Sequence, residues 1–129
     1  MFLNVSNHPS DKWSDEQKEA ALKLADGPII DIPFPDVPPE ADRTEAALIA
    51  DKLYDEVMQV INQDTRGIFT GNHAVMIMGE YSVFHKVVKR IQANPLYIPV
   101  YVATTKRIAE ETKGVKKSVF QFVRFREIK

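Results

Sequence analysis

The residues best equipped for chemistry fall in four short runs. Thr104, Thr105, Lys106 and Arg107 place two hydroxyls and two cations in consecutive positions. That combination suits phosphate oxygens, although the same residues would also serve a solvated turn. Ser6-Asn7-His8, followed by Pro9-Ser10, offers a histidine that could act as general acid or base or donate to a phosphate. Gly79-Glu80-Tyr81 supplies a carboxylate that could orient a ribose hydroxyl, act as a base, or cap a helix beginning beside it. The aromatic residues Trp13, Phe34 and Tyr81 could stack on a base or belong to a core or interface. His85 on the polar face of a helix and His73 before a strand carry no assigned role.

These runs need elements to position them. Phe2 to Ser6 reads as a short strand, and Ser14-Asp15-Glu16-Gln17 has the capping-box form that opens a helix to about Ala25. Ile29 to Ile32 is a second strand, and Pro35 to Ala41 a stiff connector that can continue neither strand nor helix. An apolar stripe through Ala46, Ile49, Ala50, Leu53, Val57, Val60 and Ile61 predicts the longest helix, from Asp42 or Thr44 to about Gln63. Asn62 to Asn72 reads as a polar return loop.

Ala74 to Met78 is an unbroken apolar run of strand length. Gly79 then permits a tight turn, and Val83, Phe84, Val87, Val88 and Ile91 recur at helical spacing up to Gln92. Tyr97 to Thr104 is a further strand, with Pro99 suggesting an edge or a position whose N–H is not needed. Lys113-Gly114 joins two extended stretches, Arg107 to Thr112 and Val115 to Ile128, in a β-hairpin. If Thr112 faces Val115, an uninterrupted ladder sets Ala103 opposite Arg124 and Tyr101 opposite Arg126.

The resulting order predicts an α/β fold: a Rossmann-like sandwich in one domain spanning residues 1–129, with a mostly parallel sheet and an antiparallel C-terminal β-hairpin. Four strand ends converge on one rim, bringing together Ser6-Asn7-His8, Pro33-Phe34, Gly79-Glu80-Tyr81 and Thr104 to Arg107. In open α/β sheets ligands bind outside such carboxyl ends.

Composition narrows the classes. The 129 residues include no cysteine, which removes disulfides, thiolate metal sites and cysteine nucleophiles. The three histidines form no local metal-ligand pattern, so no metal or cofactor is expected. Neither GxGxxG after the first strand, nor GxxxxGK[ST], nor GxSxG occurs. No signal peptide or membrane-spanning run is evident, and a cytoplasmic protein is expected. The net charge of −1 hides a segregation. Residues 1–84 carry 6 Lys or Arg against 15 Asp or Glu, giving −9, whereas residues 85–129 carry 11 against 3, giving +8. A basic last third can attract an anionic partner.

The opening FLNVSNHPSDKWSDEQ, the central IMGEYSVFHKVVKR and the closing PVYVATTKRIAEE with SVFQFVRFREI together resemble the small standalone CARF-type (CRISPR-associated Rossmann fold) proteins encoded near type III CRISPR systems. The resemblance implies a homodimer that binds a cyclic oligoadenylate, foremost the tetra-adenylate, across its two-fold axis. Several such proteins are ring nucleases, in which a ribose 2′-hydroxyl attacks its own 3′-phosphate without a metal. Carried onto this chain, the ligand loops would be Ser6 to Ser10, Gly79 to Tyr81 and Thr104 to Arg107. Lys106 and Arg107 would bind phosphate and stabilise charge, and His8 would be the acid or base. Arg124 is a further phosphate candidate that depends on the hairpin register. A non-catalytic sensor or sponge, and a module whose basic C-terminal surface contacts protein or RNA, remain open. No membrane or DNA partner is expected.

Overall fold

The computed structural model describes residues 1–63 and 72–129. Five strands form one mixed sheet in the order β2-β1-β3-β4-β5, with β1 (Phe2–Ser6), β2 (Ile29–Pro33), β3 (Ala74–Ile77), β4 (Val100–Thr112) and β5 (Val115–Ile128). The pairs β1–β2, β1–β3 and β3–β4 are parallel, and β4–β5 is antiparallel. The α/β reading therefore holds, as does the mixture of parallel strands with a terminal antiparallel hairpin. Successive strands leave β1 in opposite directions, so the order reverses between β1 and β3, where α/β sheets open a crevice at their carboxyl ends.

Three α-helices among the described residues cover both sheet faces: α1 (Asp15–Leu24), α2 (Arg43–Gln63) and α3 (Tyr81–Gln92). Each starts on a side-chain cap that relieves unpaired N–H groups of its first turn. Ser14 Oγ accepts from Gln17 N at 3.2 Å, Asp42 Oδ1 from Glu45 N at 2.8 Å, and the Glu80 carboxylate from Ser82 N and Val83 N. The cap at Asp42 settles which of the two expected starts α2 uses. Of the return loop expected over Asn62 to Asn72, Asn62 and Gln63 belong to α2 instead, and residues 64–71 lie outside the described residues.

Period-two alternation in β1 and β3 sends side chains to two cores. Leu3, Val5, Val75 and Ile77 meet Leu53 and Val57 of α2 and Val83 and Val87 of α3. On the opposite face Phe2, Ala74 and Met76 meet Trp13 and α1 residues, chiefly Ala21. No helix among the described residues is long and apolar enough to cross a membrane.

The carboxyl-terminal third departs from expectation. Tyr97 to Pro99 precede the strand rather than opening it, although the Pro99 carbonyl accepts from Val75 N at 3.0 Å. From Val100 the chain runs unbroken to Thr112, merging the two expected segments, so Thr104, Thr105, Lys106 and Arg107 are strand residues and not a strand-end loop. The reason is β5, whose antiparallel ladder gives those positions backbone partners. Only Val100 and Tyr101 pair with β3, so the rest of the β4–β5 ribbon extends past the sheet as an arm. Its turn, Lys113-Gly114, has φ of 55° and 77°, the left-handed pair that suits the twist of a two-residue hairpin.

Thr112 pairs with Val115 as expected, but the register shifts between Thr104 and Thr105. Val123 is left without a partner there. Beyond this bulge Ala103 faces Phe125 and Tyr101 faces Glu127, not Arg124 and Arg126. One extra residue reverses which face each side chain takes. Phe125 accordingly packs 5.0 Å from Phe2 and 5.8 Å from Trp13, ring to ring.

Candidate functional site

The loop after β1 is held by a polar cluster beneath it. Asn4 and Ser6 share the α1-side face with Phe2, and Asn4 is only 1% exposed. Its Nδ2 donates to the His8 carbonyl at 2.8 Å and to Asp31 Oδ1 at 3.0 Å, while its Oδ1 accepts from Ser6 Oγ at 2.7 Å. Ser6 Oγ in turn accepts from His8 N at 3.2 Å. Asp31, on edge strand β2, uses its second oxygen to accept from Ser10 N at 3.1 Å. Main-chain groups of His8 and Ser10 are thus tied to two strands, which leaves the His8 ring exposed but its backbone fixed.

Above this loop lies a cavity of about 1060 Å³. Its floor is Met76, Met78 and Ser6 at the ends of β1 and β3; one side is Asn7, His8, Lys12 and the start of α1. The other side is the arm, through Thr105, Ile108, Phe120, Gln121 and Phe122. Trp13 closes the inner end. An aromatic series leads into it from the core: Phe2 meets Trp13 edge-on at 6.2 Å, and Phe122 meets Phe125 at 4.8 Å. The cavity therefore pairs flat apolar walls with amide, hydroxyl and imidazole groups, the mixture that orients an amphipathic ring.

Five of the residues singled out from sequence meet at this cavity: Ser6, Asn7, His8, Trp13 and Thr105. The others are placed elsewhere. Ser10 spends its N–H on Asp31. Gly79 lies against the Phe34 ring, which a Cβ at that position would overlap, so its role is close approach. Glu80 caps α3, and its pKa is lowered chiefly by the hydrogen bond from the Ser82 hydroxyl, then by the N–H groups of Val83 and Ser82. Of the three uses open to Glu80, the cap is the one its contacts display. Tyr81, 75% exposed, stacks with Phe84 and His85.

Thr104 Oγ1 donates to the Arg124 carbonyl at 3.0 Å, and those two residues face each other across the ladder. Arg107 Nε donates to Ser118 Oγ at 3.0 Å. Lys106, Arg107 and Arg124 are exposed on the arm and do not line the cavity. The cation at the cavity is Lys12, which sequence reasoning passed over. Asn4 and Asp31 were also missed, although a lone asparagine in the apolar strand FLNVS, on the same face as Ser6, is a visible signal of a buried polar cluster. Phe120 and Phe122 were unreadable without the arm.

Helices cover both faces of a mixed sheet, and a polar and aromatic cleft lies at its carboxyl edge, so the chain is an α/β protein with its cavity beside the strand-order reversal. The chain belongs to the uncharacterized protein MJ1673 family, whose model matches residues 1–126. No curated protein and no solved structure matches it.

Proposed function

We propose that this protein is a Rossmann-like domain that binds a cyclic oligoadenylate, foremost the tetra-adenylate, and opens the ring. The observation that carries the reading is the cavity of about 1060 Å³ beyond β1 and β3, with Trp13, Phe120 and Phe122 as stacking surfaces and His8 at its edge. Adenine has a flat face for the aromatic walls and an amide-like edge that Asn7, Gln17 or Gln121 can match. Lys12 replaces Lys106 and Arg107 as the phosphate contact. In the reaction a ribose 2′-oxygen bonds to the adjacent phosphorus as the bond to the 5′-oxygen breaks. His8 takes the 2′ proton or supplies one to the 5′-oxygen, leaving a 2′,3′-cyclic phosphate and a 5′-hydroxyl.

A second reading, a sensor or sponge that binds the ring intact, is favoured by one feature. Among the described residues lining the cavity Lys12 is the single lysine or arginine, while Glu16 and Glu110 are there too. That is little positive charge for a transition state on phosphate. The test is incubation with cyclic tri-, tetra- and hexa-adenylate in EDTA, with products separated by chromatography and weighed by mass spectrometry. Linear products ending in 2′,3′-cyclic phosphate, lost in His8→Ala while binding persists, support cleavage. Intact rings that co-elute with the protein make it a sensor, and rings that neither bind nor open refute both.

A further inference from the structure

We propose that the outer edge of β5 takes up an acidic, extended peptide segment of a partner protein as an added strand. The inference does not depend on the ligand reading. β5 ends the sheet, and among the described residues no strand pairs with its far side. It is 14 residues long, more than twice the usual strand, so it presents a long row of main-chain groups. Thr112 and Val115 flank a two-residue turn, and such a flanking pair is hydrogen-bonded. Alternation from that pair directs the N–H and C=O of Lys116, Ser118 and Phe120 away from β4. All three residues are exposed. The register shift ends this regular stretch at Phe122, about 27 Å from Val115.

Side chains select the occupant. Residues 115–126 hold four Lys or Arg and no Asp or Glu. Lys117, Arg124 and Arg126 take the face away from the cavity, and Lys116 shares the face of Phe120. Two β5 edges brought together would set these cations against one another, so the edge rejects its own copy. A strand with carboxylates on one face meets Lys117 and, past the bulge, Arg124 and Arg126. Its alternate apolar residues then lie beside Phe120, which is 68% exposed. Phe120 keeps its ring at the cavity, because strand addition engages only its main chain.

A peptide fits this edge better than a nucleic acid does. The edge offers donors and acceptors in alternation, and a peptide strand answers both. Phosphates accept only, and would face the edge carbonyls with like partial charge. Glu110 lies opposite Lys117 on the basic face, and the −9 carried by residues 1–84 opposes a polyanion at long range.

Fluorescence polarisation on the full chain tests the proposal, with a labelled decapeptide of alternating Glu and Val as the probe. It is expected to bind with Kd below about 0.1 mM. The same peptide with proline in place of every valine keeps the charge but cannot pair, and should bind at least about 10-fold more weakly. Ser118→Pro removes one outward N–H and no main-chain bond to β4, whereas Lys117→Gln with Arg124→Gln removes charge; each should raise Kd at least about 10-fold. With saturating peptide, hydrogen exchange at the Lys116 and Ser118 amides of the wild type should slow at least about 10-fold. A Kd above about 0.1 mM overturns the proposal, and so does equal affinity of the wild type for the two peptides, or amides that exchange unslowed. A linear oligouridylate that binds more tightly than the peptide, and is lost in Lys117→Gln with Arg124→Gln, overturns it as well.

Discussion

Replacing Asn4 by alanine tests how the site is held. The change removes two donated hydrogen bonds, to the His8 carbonyl and Asp31, and one accepted from Ser6. A typical intramolecular hydrogen bond contributes about 1 kcal/mol net, and more when one partner is charged, as Asp31 is. Two effects soften the loss. Ser6 Oγ lies 3.4 Å from the His8 carbonyl and can turn to it, and Asp31 keeps its bond from Ser10 N. The net cost should be about 2–4 kcal/mol, from the lost bonds and the unfilled amide volume. In urea unfolding followed by circular dichroism, an m-value of about 2 kcal/mol/M converts that to a midpoint lower by about 1–2 M. Ser6→Ala should cost about 1–2 kcal/mol, because it removes the donor to Asn4 Oδ1 and the acceptor of His8 N while both bonds donated by Asn4 remain. Asn4→Asp sets a second carboxylate beside Asp31 and should cost more than Asn4→Ala at neutral pH through like-charge repulsion. An Asn4→Ala protein within about 0.5 kcal/mol of wild type would refute the claim that this cluster anchors the loop.

Other expectations concern single contacts. Gly79→Ala should destabilise by about 1–3 kcal/mol in the same assay, since its methyl can enter only by moving the buried Phe34 ring. Glu80→Ala should cost about 1 kcal/mol at neutral pH through the lost cap. The Glu80 carboxyl titrates below its ordinary 4.5 in the folded chain, so its contribution is present above that value and disappears as pH falls through the lowered one. The gap between wild type and Glu80→Ala should therefore close in acid, as read by thermal melts across pH. Lys12→Ala should weaken binding of cyclic tetra-adenylate about 10-fold or more by calorimetry, whereas Lys106→Ala should change cavity affinity by less than about 3-fold.

Much of the fold was legible because its signals are local. Ser14, the Val83 to Ile91 stripe and the Lys113-Gly114 turn each act within a few residues, and each stands where periodicity or turn chemistry put it. What failed was non-local. Thr104 to Arg107 has the composition of a loop, and only pairing with a strand fourteen residues long makes it strand. The bulge at Val123 has no sequence signature of its own, yet it sends Phe125 and Phe122 to the cavity side and Arg124 to the other. Half of the candidate site was reachable from β1 and its loop; the half on the arm depends on a register that hydrophobic alternation in FQFVRF does not specify.

The most direct measurement is a titration of the chain's single tryptophan, Trp13, at the inner end of the cavity. Cyclic tetra-adenylate is predicted to change its emission saturably, with the midpoint moved to higher ligand in Lys12→Ala. Unchanged emission up to about 0.1 mM ligand, together with no heat of binding, would contradict the assignment of this cavity as the site.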